Sequence, residues 1–209
     1  MKNKNNLENV SAFKKSIIKI TTNLILDKST RDSMRTSFLH LGIKETLKKF
    51  SKIKKEKEPE NFKYYLSVIL TIKDEATYLK EWLEYYLIQG VDHFYIFDNE
   101  SSDNIQEVLQ PYIEKEMVTY NFFECQTPEN QKIIYNKAIE EYKYESKWLA
   151  PLDTDEFAYA PNYATLSEYL KDNEKYDQIA MKWYIYGNSG HETRPNGLII
   201  ESYTMREKY

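Results

Sequence analysis

The chain has 209 residues and a net charge of −4, and its aromatic residues are 19 Tyr, 9 Phe and 3 Trp. This aromatic content excludes a wholly disordered chain, and the length allows one full domain with a smaller appendage. The single cysteine, Cys125, excludes a disulfide framework and a thiolate metal site within one chain. We therefore expect a reducing, cytoplasmic setting.

The charge is divided unevenly along the chain. Residues 1–63 hold 16 Lys or Arg against 7 Asp or Glu, whereas residues 64–209 hold 13 against 26. Segments of opposite charge are expected to have different partners, and we expect none of these partners to be a nucleic acid.

Residues 1–61 are predicted to form a basic helical segment that ends in a charged linker. Apolar residues recur at helical spacing from Phe13 to Leu24 and again from Leu39 to Phe50, with lysines around them. Such helices, within residues 10–55, either lie on an anionic membrane surface or pack on protein, including a second copy of the chain. The most apolar stretch, Ile17–Leu26, is too short and too polar to span a bilayer, and no secretory signal is evident.

From residue 62 onward, strand patterns alternate with helix patterns. The expected strands begin with "YLSVILTI", "HFYIFD", "MVTYNFFEC" and "WLAPLD", and the later runs "YDQIAMKWYIYG" and "GLIIESYTM" are expected to be strands as well. The expected helices are "EATYLKEWLEYYLIQG", ending at Gly90, "SSDNIQEVLQPYI", opened by Ser or Asp caps, and residues 129–143. This alternation predicts an α/β domain over residues 62–209, with a mainly parallel central sheet and helices on both faces.

Acidic and amide residues follow three of the expected strands. The first strand ends at "KDE", the second at "DNESSD" and the fourth at "DTDE". Ligands of open α/β sheets bind beside the carboxyl ends of the strands, so these residues are expected to form one site.

Asp153 and Asp155 are candidate metal ligands. If the backbone stays extended, two residues that are two positions apart point to the same face. Paired carboxylates suit Mg²⁺ or Mn²⁺, which leaves coordination positions open for water and phosphate oxygens. A lone D-x-D can instead serve only to cap a turn after a strand.

Other readings of this acidic motif are weaker. An EF-hand calcium loop that began at Asp153 would need Gly where Ala158 stands. A phosphatase of the haloacid dehalogenase type also uses a D-x-D after a strand, but with small residues following it, where this chain has Glu156 and Phe157. The chain contains neither a Walker loop nor a G-x-G-x-x-G motif.

The order of these motifs resembles the glycosyltransferase family 2-like enzymes of GT-A fold, and most closely the branch that includes family 92. The resemblance rests on "SVILTIKDEATYLKEWLEYYLIQGVDHFYIFDNESSD", "QKIIYNKAIEEY", "WLAPLDTDEF" and "WYIYGNSGHETRPNGLIIESY". It covers about two-thirds of the chain and implies a GT-A fold.

The resemblance implies roles for individual residues. Asp153 and Asp155 would hold Mn²⁺ or Mg²⁺ with the diphosphate, and Glu192 or Glu156 would be the catalytic base. The nucleotide-sugar would contact Thr71, Asp74, Glu75, Asp98, Asn99, Gln131, Asn136, Trp183 and His191.

The implied function is that of a metal-dependent hexosyltransferase of inverting type. It would move a sugar from a nucleotide-diphosphate sugar, such as a UDP-sugar, to a glycan or glycolipid acceptor in the synthesis of cell-surface polysaccharide or lipopolysaccharide. The enzyme would be cytoplasmic, with peripheral contact to the inner face of the cell membrane. The alternatives are a catalytically inactive nucleotide-sugar-binding or scaffold protein of the same fold and, less favoured, the phosphatase. Family members typically continue beyond the position of Tyr209, so we expect this domain to be truncated relative to them.

Overall fold

The computed structural model of the chain describes residue 59, residues 61–124 and residues 130–206. The strands are β1 (Tyr64–Ile72), β2 (His93–Asp98), β3 (Val118–Phe122) and β4 (Ser146–Pro151). The helices are α1 (Ala76–Ile88), α2 (Ile105–Ile113), α3 (Asn130–Tyr142), α4 (Leu166–Asp172) and α5 (Ile199–Ser202).

The four strands form one parallel sheet in the order β3-β2-β1-β4. Val68 in β1 lies opposite Phe94 in β2 and Ala150 in β4. Parallel neighbours require crossover connections, and α1, α2 and α3 provide the three that are needed. The predicted α/β class with a mainly parallel sheet is confirmed.

Both faces of the sheet are covered by helices. Leu66, Val68 and Leu70 of β1 pack on one face, in a core shared with α1 and α2. Ile69 points to the other face and packs with Ile134 and its neighbours on α3. These side chains are 0–2% exposed, and burying one of this size contributes about 1.5–3 kcal/mol. The sequences of the two central strands, β1 and β2, are almost wholly apolar because both faces of these strands are covered.

Gly90 ends α1, as predicted. Its φ of +82° is left-handed, and the N–H of Val91 bonds back to the carbonyl of Tyr86 at 3.0 Å. A Cβ at residue 90 would approach the side chain of Ser167, at the start of α4, to 2.8 Å. Glycine is thus required here both by the backbone conformation and by the close approach of α4.

The predictions of two later strands, over residues 176–187 and 197–205, are wrong. Residues 176–187 form no strand, and a single antiparallel bridge joins Tyr186 to Arg206. Residues 199–202 form the short helix α5, because the carboxylate of Glu81 on α1 accepts the free N–H groups of Ile199 and Ile200 at 2.8 and 3.2 Å. A partner outside the local sequence therefore overrides the β propensity of the second run, whereas the described contacts give no such explanation for the first.

One of the predicted caps of α2, Asp103, acts on a different helix. Asn104 precedes α2 and makes no side-chain cap bond, whereas Asp103 accepts the first N–H of α1, that of Ala76, at 2.8 Å. The acidic and hydroxyl residues after β2 therefore tie the second strand end to the first.

The predicted amphipathic helices within residues 10–55 lie outside the described residues. Most of the segment that precedes the domain boundary predicted at residue 61 lies outside them as well. Each helix in the described part of the chain is too short or too polar to cross a lipid bilayer.

Candidate functional site

The order of the strands reverses beside β1. The chain steps from β1 to β2 to β3 across the sheet, and β4 then returns to the other side of β1. Open α/β sheets bind their ligands at such a reversal, beside the carboxyl ends of the strands. Here the loops that follow Ile72 and Pro151 meet at that position.

Residues 153–156, which we call the acid turn, begin two positions after the end of β4. The N–H of Glu156 donates to the carbonyl of Asp153 at 3.1 Å, so the chain turns here. The premise of an extended backbone was therefore wrong. Asp153 is half-buried and Asp155 is exposed, and Thr154 between them is 5% exposed.

The carboxylate of Asp153 is held by α3. Its Oδ1 accepts hydrogen bonds from the side-chain amide of Gln131 at 2.9 Å and from the hydroxyl of Tyr135 at 3.0 Å. Burial, followed by the charge of Asp153, raises the pKa of Tyr135, so its hydroxyl stays protonated and donates. Both partners of this carboxylate are neutral, and they fix its orientation without neutralising its charge.

Glu156 lies close to the other two carboxylates of the acid turn, and their charges affect its pKa. Burial raises the pKa of its carboxyl, and the charges of Asp153 and Asp155 raise it further, against the opposing effect of the bond from the Asp153 N–H to Oε2 at 3.1 Å. The carboxylate of Glu156 is thus close enough to those of Asp153 and Asp155 to be repelled by both, and a cation among them would relieve that repulsion.

The loop after β1 contacts both neighbouring loops. The hydroxyl of Thr154 donates to the carboxylate of Glu75, which joins this loop to the acid turn. Asp74 accepts the N–H and the hydroxyl of Ser102 at 2.6 and 3.0 Å, and its own N–H donates to Ser101 at 3.0 Å. Asp74 has a left-handed φ of +56°. Polar residues after β1, β2 and β4 are therefore brought together at one edge of the sheet.

Asp98 lies at the carboxyl end of β2 and is 2% exposed. Its carboxylate accepts the N–H of Ser101 at 2.9 Å and the hydroxyl of Tyr120 at 2.6 Å. The neighbouring Asn99 is 6% exposed. Thr71, near the end of β1, has a buried hydroxyl without a hydrogen-bond partner among the described residues. An orphaned hydroxyl beside these loops is one that a ligand can satisfy.

The other predicted site residues make no hydrogen bond, ion pair or ring contact with the acid turn that is seen within the described residues. Asn136 is exposed on α3, and Glu192 is exposed. His191 is half-buried, with its Nε2 3.2 Å from the carbonyl of Ser202 and its ring 5.9 Å from that of Tyr203. Trp183 is 74% exposed, so it is not part of the core. The roles predicted for these four residues stay predictions.

The sequence reasoning missed four residues that shape this edge of the sheet: Trp82, Tyr86, Tyr120 and Tyr135. Their contacts with the acid turn or with the end of β2 span from 18 to 74 positions in the chain. The only available signal was the run "EWLEYY", which places two aromatic residues one helical turn apart.

The donor set of the acid turn fits a hard divalent cation. In the described part of the chain, no group of three or more His, Cys, Asp or Glu side chains is arranged to hold a metal. Two carboxylates suffice for Mg²⁺ or Mn²⁺ when water and phosphate oxygens supply the other ligands. Asp155 is exposed to solvent, and Oδ1 of Asp153 accepts its two hydrogen bonds from the neutral side chains of Gln131 and Tyr135.

Comparison with known proteins gives a family match. The model of glycosyltransferase family 92 matches residues 68–207, which is more than half of the chain. A glycosyltransferase family 92 protein of Ricinus communis is 29% identical over 164 residues, which are 72% of this chain and 28% of that protein. A galactan beta-1,4-galactosyltransferase of Arabidopsis thaliana is 28% identical over 112 residues, 50% of this chain and 22% of that protein.

The chain thus spans between a fifth and a third of the length of these relatives. Among solved structures, TarS of S. aureus (residues 1–349) is similar at a TM-score of 0.41 and 20% identity, over 53% of this chain and 31% of that one. The family match, with the parallel sheet described above, confirms the predicted resemblance and its GT-A type of α/β fold.

Proposed function

Because the chain belongs to glycosyltransferase family 92, we propose that it transfers a sugar from a nucleotide-diphosphate sugar to a glycan or glycolipid acceptor. One observation on the described residues of this chain supports the proposal. The acid turn lies where the strand order reverses, and Thr154 joins it to Glu75 in the loop after β1. A site for a nucleotide and a cation needs these two strand ends side by side.

Asp153 and Asp155 would hold Mn²⁺ or Mg²⁺. When bound, such a cation supplies electrostatic stabilisation to the diphosphate as it leaves. Gln131 and Tyr135 keep the Asp153 carboxylate oriented, so that the site needs little rearrangement on binding.

The nucleoside would lie against the loops after β1 and β2. Thr71 offers a hydroxyl that lacks a hydrogen-bond partner in the described part of the chain, and Asp98 and Asn99 lie at the neighbouring strand end. Asp74 holds the two loops together through Ser102. In this arrangement Asp74 acts on the nucleoside pocket by shaping it.

In the inverting reaction, the acceptor hydroxyl oxygen bonds to the anomeric carbon while the bond from that carbon to the diphosphate oxygen breaks. The acceptor proton passes to a carboxylate base, for which Glu192 is the first candidate and Glu156 the second. A raised pKa, as Glu156 has, makes a carboxylate a stronger base, whereas the exposure of Glu192 leaves it accessible to an acceptor.

The donor sugar and the cellular location are also part of the proposal. Relatives of this chain include proteins named as galactan beta-1,4-galactosyltransferases, so a UDP-hexose, and UDP-galactose first, is the donor to test. We place the enzyme in cell-surface glycan synthesis at the inner face of the membrane, since its basic N-terminal sequence is of a kind that binds anionic lipid.

Calorimetry of UDP binding, with and without Mn²⁺, tests the proposal. We expect Mn²⁺ to strengthen UDP binding to the parent chain, and Asp155→Asn to abolish that dependence without unfolding the protein, because Asp155 is exposed. The matched control is Asp177→Asn, an equally conservative change at an exposed aspartate. If the folded parent binds no UDP, or if Asp155→Asn binds it like the parent with Mn²⁺, the proposal is wrong.

A transfer assay with a labelled donor separates enzyme from binding protein. Transfer of label to a glycan or glycolipid fraction supports the glycosyltransferase. Metal-dependent UDP binding with no transfer from any nucleotide-sugar would instead indicate the inactive nucleotide-sugar-binding protein.

A further inference from the structure

Two aromatic side chains of α1 form hydrogen bonds with the backbone of the acid turn and of the residues that follow it. Trp82 and Tyr86, one helical turn apart, are both 0% exposed. The indole N–H of Trp82 donates to the carbonyl of Asp153 at 2.8 Å and to that of Glu156 at 3.2 Å. The hydroxyl of Tyr86 donates to the same Glu156 carbonyl at 2.9 Å and accepts the N–H of Ala158 at 2.8 Å.

These bonds hold both ends of the acid turn. When the carbonyls of residues 153 and 156 are held, the backbone dihedrals between them are restricted. Those dihedrals set the directions in which the Cα–Cβ bonds of Asp153 and Asp155 point. We propose that Trp82 and Tyr86, which we call the aromatic clamp, are positioning residues that set the directions of the two metal-binding carboxylates. This inference rests on the proposed function.

A clamp is needed here because the acid turn carries three carboxylates within four positions of the chain, and like charges that are close together repel. A free turn would relieve that repulsion by spreading its side chains apart, away from the geometry that a cation needs. The ring of Phe157 packs edge-on against Tyr85, with centroids 5.1 Å apart, and the Tyr85 hydroxyl donates to the carbonyl of Ala158 at 2.9 Å. The segment that follows the turn is therefore anchored to the same helix.

The test compares two substitutions that each remove one buried phenol hydroxyl. Tyr86→Phe removes the bonds to Glu156 and Ala158 and keeps the ring. The control, Tyr95→Phe, changes an equally buried tyrosine whose hydroxyl donates to Glu145, just before β4 and thus at the opposite edge of the sheet. The measurement is the dissociation constant of Mn²⁺, obtained from the EPR signal of the free ion well below the unfolding temperature of each variant.

We expect Tyr86→Phe to bind Mn²⁺ about tenfold more weakly than the parent, as is usual when an outer-shell partner of a metal site is lost. Tyr95→Phe should bind Mn²⁺ like the parent, even if its unfolding temperature falls by as much. A merely structural role for Tyr86 would lower the unfolding temperature and leave the Mn²⁺ affinity of the folded protein unchanged, and that result would overturn the clamp.

If Tyr86→Phe does not fold, Trp82 can be replaced by benzothienylalanine, which keeps the shape of the indole and lacks its N–H donor. The same tenfold weakening of Mn²⁺ binding is expected, and unchanged affinity overturns the proposal. A parent chain that binds no Mn²⁺, with or without UDP, overturns the metal assignment in the proposed function and the clamp with it. A parent that binds Mn²⁺ as tightly as its folded clamp variant overturns the clamp alone.

Discussion

The hydroxyl of Tyr135 donates a hydrogen bond to Oδ1 of Asp153 at 3.0 Å, from α3 to the acid turn. Gln131, one helical turn earlier, donates to the same oxygen and to the Tyr135 hydroxyl. One face of α3 therefore orients a carboxylate that the sequence identifies only as half of a D-x-D pair.

Tyr135→Phe is expected to weaken Mn²⁺ binding by about tenfold, because the carboxylate loses a partner that orients it. Its unfolding free energy should fall by about 1.5–3 kcal/mol, the range for a hydrogen bond to a charged group. The control is Tyr142→Phe, which removes a hydroxyl from the same helix that bonds to Asn121. Mn²⁺ titration and urea unfolding measure the two effects, and equal Mn²⁺ affinities in the two variants would contradict the assigned role.

Glu156→Gln is expected to stabilise the metal-free protein at neutral pH. Burial raises the pKa of Glu156 above its value of 4.5 in the unfolded chain, so ionising the group costs more in the folded state. The parent thus loses stability as the pH rises through that raised pKa, and the variant has no such loss. Urea unfolding in EDTA should give the variant a larger free energy of unfolding than the parent at pH 7.5. Below pH 4.5 the two free energies should be equal.

Added Mn²⁺ should reverse this difference. A cation gains from each carboxylate near it, so the parent should be stabilised by Mn²⁺ more than Glu156→Gln is. If the variant is no more stable than the parent at pH 7.5 in EDTA, the charge of Glu156 does not destabilise the metal-free protein, and the prediction is wrong.

Asp74→Asn should weaken nucleotide binding and leave Mn²⁺ binding intact. Asparagine tolerates the left-handed backbone of residue 74, but it offers a neutral oxygen to Ser102 in place of a charged one. The hydrogen bond from the backbone of Ser102 lowers the pKa of Asp74 below 3.8, so this contribution to stability is present above pH 3.8 and is lost as the pH falls through the lowered pKa. Calorimetry with UDP and with Mn²⁺ separates the two affinities, and equal losses in both would contradict this division of roles.

Glu192→Gln is expected to lower kcat by about 10²–10⁴-fold, the usual effect of losing a general base, while the affinity for UDP stays unchanged. Glu201→Gln, at another exposed glutamate of the same segment, is the control. If Glu192→Gln transfers sugar at the parent rate and Glu156→Gln does not, the base is Glu156.

Several features of this protein could be predicted from local sequence. The apolar run of β1 and the helical spacing that ends at Gly90 specify their own structures, since burial on both faces and a left-handed glycine leave few alternatives. The order of strands and helices then places the strand ends at one edge of the sheet. For that reason Asp74, Glu75, Asp153 and Asp155 could be assigned to one region before any coordinates were known.

The tertiary structure decided how those residues are held. Glu81 turns an expected strand at Ile199 into a helix, Asp103 caps α1 in place of α2, and Trp82 folds the D-x-D into a turn. Each of these outcomes depends on a hydrogen bond between residues 27 or more positions apart. Backbone propensities differ by only about 1 kcal/mol, so one such bond to an otherwise unpaired N–H or carbonyl is enough to override them. The local sequence therefore determined which residues reach the site, and long-range hydrogen bonds determined their conformation there.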